Sequence, residues 1–130
     1  MLVLDSNVVV AACTTDEGFG WFGTEELAAP PLMWSEATSV IHEAMWRGAI
    51  DRDLGSLAFD RLRAARIKRR NPDRLSEQAW LIADELGWAK TYDAEYVALA
   101  KLLRCRLLTL DGRLRRRAAR LGFVIGPAEL

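Results

Sequence analysis

Histidine is nearly absent from this chain, cysteine is scarce, and the first 46 residues contain no lysine or arginine. The single histidine, His42, removes every mechanism that needs two imidazoles and makes any Ser-His-Asp or Cys-His scheme hang on one residue. A helical zinc signature fails at the same place, because His42-Glu43-Ala44-Met45-Trp46 ends in Trp where a second His is required. Cys13 and Cys105 are the only cysteines, far apart and outside any CxxC. That argues against a disulfide framework or zinc site and leaves two reduced thiols as the expectation. No stretch approaches the apolar length of a membrane span. The start lacks a basic leader, and Asp5 breaks its first apolar run, so a cytoplasmic protein is expected.

What is present fits one soluble globular domain, residues 1–130: half of the residues are apolar and 28% are charged. A chain of 130 residues buries roughly two-thirds of its unfolded surface, enough for a core without staples. The formal net charge of zero hides an asymmetry. Residues 1–46 carry seven acids and no base, so the remainder carries all 18 basic residues against 11 acids. Such halves can neutralise each other by packing, or they can place an acidic centre beside a basic surface, as a metal-dependent enzyme acting on a polyanion requires.

The chain opens MLVLDSNVVVAA, in which an apolar run meets a carboxylate, then Ser6 and Asn7. Residues 1–4 are expected to form a short buried strand and Asn7 to Cys13 a helix. A helical piece is expected around Glu25–Ala28, stopped by Pro30-Pro31, followed by a second strand at Leu32-Met33-Trp34. Ser35 then caps a helix from Glu36 to about Arg47, with Gly48 past its end. Further helices are expected at 53–65, 73–86, from Asp93 to about Arg104, and from Asp111 to about Leu121. Strands are expected near Ile67, at Arg106–Thr109 and at Phe123-Val124-Ile125. Strands alternating with helices mean an α/β fold, a short, mostly parallel sheet of about four to five strands with helices on both faces. In such sheets ligands sit beyond the carboxyl ends of the strands.

Four acids occupy that kind of position. Asp5 ends the first strand, Glu36 starts the helix after the second, Asp93 opens a helix, and Asp111 follows the Arg106–Thr109 strand. Taken singly, each is accounted for by capping and by the helix dipole, at about 1 kcal/mol apiece. Gathered at one sheet edge they would repel, and some pKa values would rise unless a cation intervened. Oxygen donors with few histidines and no thiolates suit Mg²⁺ or Mn²⁺. Glu43, seven residues after Glu36, shares its helical stripe but sits two turns from the strand ends, and reads as a solvated acid.

The strings LDSNVVVAA, SEATSVI, TYDAEYVALA and LLTLDGRL fall in the order and spacing of the PIN-domain ribonucleases. The chain resembles in particular the small VapC-type toxins of toxin–antitoxin pairs, over essentially its whole length. Asp93, Tyr96, Ala98, Leu99 and Ala100 reproduce the most specific element, and Thr109 with Asp111 the next. Asp5 and Asn7 match the opening Asp-x-Asn. The family often has Asn three residues after the acid at Glu36, where this chain has Ser39.

The resemblance implies a three-layer α/β/α PIN-like domain and an endoribonuclease dependent on Mg²⁺ or Mn²⁺. Asp5 and Asp93 would be the principal metal ligands, completed by Asp111 and Glu36, with Asn7, Thr109 and Ser39 as polar groups behind them. It also implies an RNA substrate, a small antitoxin partner and a homodimer.

Arg113, Arg116, Arg117 and Arg120 form a second stripe on the last helix, opposite an apolar stripe of Leu114, Ala118 and Leu121. Together with the Arg61–Arg70 stretch, which ends in Arg69 and Arg70, they are candidate RNA contacts; a solvated face is the alternative. Gly18, Gly20 and Gly23 match GxGxxG, but no strand leads in and acids flank the segment, so no nucleotide cofactor is expected. Of the five tryptophans most are expected in the core, with Trp21 and Phe22 available to a partner. Two other functions share these residues. One is a non-catalytic PIN-like module that binds RNA or protein. The other is a phosphatase with Asp5 as nucleophile, which typically needs a second Asp where this chain has Asn7.

Overall fold

The computed structural model describes all 130 residues. Its centre is β1 (Leu2–Leu4), each of whose side chains is buried. A five-stranded, wholly parallel sheet surrounds it in the order β3-β2-β1-β4-β5, with β2 at Leu27–Ala29, β3 at Ile67–Arg69, β4 at Arg106–Leu108 and β5 at Val124–Ile125. Leu2, Val3 and Leu4 pair with Arg106, Leu107 and Leu108, and Leu2 and Val3 also pair with Leu27 and Ala28. Because every strand runs the same way, all five carboxyl ends lie along one edge.

Six helices flank the sheet. Helices α1 (Ser6–Thr14), α2 (Leu32–Trp46) and α3 (Arg52–Ala64) pack on one another. Helix α4 (Leu75–Leu86) packs on α5 (Tyr92–Leu103), and α5 lies against β1 and β4. Helix α6 (Gly112–Arg117) follows β4 and gives way to a 3-10 turn at Ala119–Leu121, so the expected helix to Leu121 is shorter than its sequence pattern. No helix is long and apolar enough to cross a membrane.

Two local expectations are corrected. The segment near Glu25–Ala28 is not helical: Leu27–Ala29 is β2, and its three apolar residues are buried between β1 and β3. Leu32-Met33-Trp34 is not a strand but the first turn of α2, which starts three residues before Ser35. Proline explains both. Pro31 takes φ −52° and ψ −35°, the conformation a helix start requires, so the Pro30-Pro31 pair launches α2 rather than only ending what precedes it.

The expected tryptophan core is not found either. Trp46 is 83% exposed and Trp80 69%, Trp21 is exposed, and Trp34 and Trp88 are only partly buried. Aliphatic residues and Tyr96 fill the centre instead. The Gly18–Phe22 segment is a 3-10 turn that follows α1 rather than a strand and tucks Phe22 into the core.

The charge asymmetry resolves partly by packing. Asp16, Glu25 and Glu26 from the acidic third pair with Arg61, Arg106 and Lys68. Within the Arg61–Arg70 stretch, Arg61 and Lys68 are the residues with acidic partners. Arg61 also donates to the Cys13 and Thr15 carbonyls, Arg63 covers the Phe59 ring and Arg69 the Trp34 ring.

Candidate active site

Asp5 follows the last residue of β1 and stands at the N-terminus of α1, 5% exposed. One carboxylate oxygen accepts from the Ser6 amide at 2.8 Å and the other from the Thr109 hydroxyl at 2.7 Å. Burial pushes its carboxyl up to about 6 in spite of those two bonds, and the charges of Asp93 and Glu36 push in the same direction. A charge buried at such a disadvantage is more than a helix cap, whose carboxylate is normally stabilised by its site.

Thr109, immediately beyond β4 and 1% exposed, ties the sheet edge together. While donating to Asp5 it accepts from the Asp111 amide at 3.0 Å and from the Asn7 side-chain amide at 3.4 Å. The Asn7 side-chain oxygen in turn accepts from the Leu110 amide at 3.2 Å. Asn7 and Thr109 thus bind α1 to the segment after β4 and fix the carboxylates on either side. Asp111 caps α6 by accepting from the amides of Arg113 (2.9 Å) and Leu114 (3.3 Å).

Asp93 lies in the first turn of α5, and its carboxylate accepts no hydrogen bond from the protein. Desolvation by its surroundings raises its pKa, with the Asp111 charge adding to the rise and Arg117 opposing it. Glu36, in the second turn of α2, accepts from the buried Tyr96 hydroxyl of α5. Burial and the Glu36 contact keep that hydroxyl protonated. A fifth acid, Glu95, has its pKa raised by burial and by the neighbouring Glu36 charge.

Glu36, Asp93 and Asp111 line one cleft of about 540 Å³ together with Lys90, Arg113 and Arg117, while Asp5 lies buried close to Asp93 and Glu36. The four expected acids therefore meet at one sheet edge, drawn from four different elements. No three of the chain's acidic, histidine or cysteine side chains close on a common point that would grasp an ion as a cage. Mg²⁺ asks for less than a cage, since it keeps several waters and takes only one or two carboxylates directly. The all-oxygen donor set fits the same hard cations and offers nothing to a softer metal.

Other expected residues lie elsewhere. Ser39 is exposed on α2 and lines an outer groove with His42, Glu43 and Trp46 instead of backing the acids. Of the arginine stripe only Arg113 and Arg117 face the cleft. Arg120 is bound to the Glu85 carbonyl and carboxylate at 3.2 Å, and Arg116 folds back over Gly112. Arg69 and Arg70 sit at the carboxyl end of β3, outside the cleft. Sequence reasoning overlooked Lys90, Tyr92 and Glu95, and treated Tyr96 only as part of a motif. An aromatic one turn after Asp93 was the available signal for Tyr96.

The family model of the PIN domain matches residues 2–120. VapC ribonuclease Mb0985 of Mycobacterium bovis and ribonuclease VapC9 of Mycobacterium tuberculosis are each 33% identical over 115 residues, 88% of this chain and 88% of theirs. Among solved structures, PAE2754 from Pyrobaculum aerophilum superposes with a TM-score of 0.76 at 21% identity, covering 98% of this chain and 90% of that one. A toxin–antitoxin complex from Klebsiella pneumoniae gives a TM-score of 0.68 at 19% identity and covers 96% of each chain.

Proposed function

The chain belongs to the PIN-domain family, and from that premise we propose that it is a divalent-metal-dependent endoribonuclease, the toxin of a toxin–antitoxin pair. The observation that carries this reading is the meeting of Asp5, Glu36, Asp93 and Asp111 at one edge of the sheet, with Asp5 buried and Asp93 unpartnered. Asp5 and Asp93 would hold Mg²⁺ or Mn²⁺, with Asp111 and Glu36 completing the site directly or through water. Bound there, the ion supplies Lewis acidity, activating a water and offsetting charge on the scissile phosphate.

The chain's own groups do the rest. Thr109 and Ser6 fix the Asp5 carboxylate, and Asn7 holds Thr109 from the other side. Tyr96 fixes Glu36. Arg113 and Arg117 face the cleft without ion-pair partners and would take the phosphates of RNA on either side of the cleaved bond. Asn7 cannot transfer a proton at neutral pH and is engaged with Thr109 and Leu110, which disfavours a phosphatase with an Asp5 nucleophile. The relatives' names support RNA as the substrate and an antitoxin as a partner. The exposed Trp46 at the end of α2 and Trp80 and Leu81 on α4 offer apolar surface for that partner and for a second copy of the chain. The cytoplasm is the compartment this activity requires.

The test is incubation with single-stranded and structured RNA in Mg²⁺ or Mn²⁺, with and without chelator, beside Asp5→Asn. Cleavage is expected only from the native chain with metal. Cleavage that survives both chelator and substitution would remove the metal-nuclease reading, and a folded chain that binds RNA without cutting it would be a binding module.

A further inference from the structure

Part of the cleft wall is built from residues that the metal chemistry leaves unused. It runs from the turn after α4 into the start of α5 and across to α6, with Trp88, Lys90, Tyr92, Arg113 and Arg117. Tyr92 directly precedes Asp93 and is 54% exposed, although an aromatic ring normally gains by burial. No protein ring stacks on it, and its hydroxyl has no hydrogen-bond partner. The three cations share a cleft with Glu36, Asp93 and Asp111, yet none forms an ion pair. By contrast Arg61, Lys68, Arg106, Arg115 and Arg120 all do. Arg117 is further held by the Trp88 ring, 5.7 Å beneath its guanidinium. Cations kept off nearby carboxylates and set around a bare aromatic face make a site for a group that is both anionic and flat.

We infer that this wall is a nucleotide subsite beside the acids, in which an unpaired RNA base stacks on Tyr92 while Lys90 and Arg117 take its flanking phosphates. The inference rests on the nuclease reading for its ligand but not for its measurement. A base inside a duplex is already stacked on both faces, so the subsite selects single-stranded segments and tolerates any base, since every base has a π-face. Tyr92 is adjacent to Asp93 in the chain, so the stacked nucleotide lies next to the phosphate being cut. Tyr92 is thus a specificity residue, distinct from the carboxylates that act on the bond.

Binding of a labelled single-stranded RNA octamer, and of the same sequence as a duplex, is measured by fluorescence anisotropy on the Asp5→Asn chain, which leaves the RNA intact. Adding Tyr92→Ala is expected to weaken single-strand binding roughly five- to 150-fold and to leave duplex binding unchanged. Tyr92→Phe is expected to restore it, because the ring alone stacks. Tyr92→Ala should leave the slope of log affinity against log salt unchanged, whereas Lys90→Ala should lower that slope by about 0.7. Circular dichroism checks that each variant is folded, and the exposure of both side chains makes that the expected result. Single-strand binding by Tyr92→Ala equal to its parent, a Phe variant as weak as Ala, or no binding by the parent at all would overturn the inference. Tyr92-dependent binding without cleavage by the native chain would instead remove the nuclease reading and leave the subsite standing.

Discussion

The hydroxyl of Tyr96 on α5 donates to the carboxylate of Glu36 on α2, joining two helices 60 residues apart across the end of the sheet. Asp93 is one turn before Tyr96, so a single stretch of α5 carries one acid and holds another. Tyr96→Phe keeps the ring and removes the donor. It is expected to lower stability by about 1.5–3 kcal/mol, the range for a hydrogen bond to a charged group. It should also raise the Mn²⁺ concentration for half-maximal cleavage by about 10- to 100-fold, as loss of a group behind a metal ligand does. A Phe variant with the native metal requirement would mean that Glu36 keeps its place unaided.

Asp5 makes stability fall as pH rises. Its carboxyl is at about 6 in the folded chain against 3.8 in the unfolded one. Below about 3.8 both states are protonated. Between those values the folded chain holds a proton that the unfolded chain has released, so each step up in pH favours unfolding. The span corresponds to roughly 3 kcal/mol, fully lost by pH 7. Urea unfolding in chelator should therefore show the native chain losing about that much between pH 4 and 7 relative to Asp5→Asn, which has nothing to ionise. Mn²⁺ at pH 7 should return stability to the native chain and not to the variant. Parallel pH courses for the two chains would contradict the account.

Thr109 cannot be replaced by its apolar isostere. Thr109→Val removes the donor to Asp5 and the acceptor for Asp111 and Asn7, leaving buried polar groups unpaired. The expected loss is about 1–3 kcal/mol by urea unfolding, with the Asp5 titration moved above 6. Thr109→Ser retains the hydroxyl and should keep that titration where it is. If Val and Ser titrate alike, the hydroxyl is not what holds Asp5.

Arg104 ends α5 in the left-handed conformation, φ 53°, the only residue other than glycine to do so. A side chain there is strained by about 1–2 kcal/mol. Gly87 performs the same task for α4 without strain. Arg104→Gly is expected to raise stability by about 0.5–1 kcal/mol in urea, less than the strain because glycine also frees the unfolded chain. Cleavage should not change, since Arg104 lies far along α5 from Asp93.

What the sequence disclosed about the fold tracks how much side-chain pattern each element carries. β1 and β4 announce themselves through aliphatic runs, and α3 through its periodic apolar face. β2 does not, because three consecutive apolar residues in a fully buried parallel strand show no alternation. The start of α2 was hidden by a proline that acts in opposite ways at the two ends of a helix. For the site, Asp5 and Asp111 were legible because each follows a strand and a parallel sheet sends every strand end to the same edge, whereas Asp93 and Glu36 reach that edge from the starts of α5 and α2. The partners were not. That Glu36 meets Tyr96, or that Arg120 is taken by Glu85 while Arg117 is not, depends on packing between elements distant in the chain. The exposed tryptophans defied hydrophobicity as well: aliphatic residues and Tyr96 fill the core, and Trp21, Trp46 and Trp80 stay outside it.

The strand order also decides when, during synthesis, the acidic edge can first assemble. β1 emerges first from the ribosome but finds its second neighbour, β4, only when residues 106–108 have been synthesised, and Asp111 comes later still. Until then Asp5 has no Thr109 and Asp93 has no Asp111 beside it. A nascent chain that ends before β4 therefore carries Asp5 and Asp93 without the Thr109 and Asp111 that complete the acidic edge of the sheet.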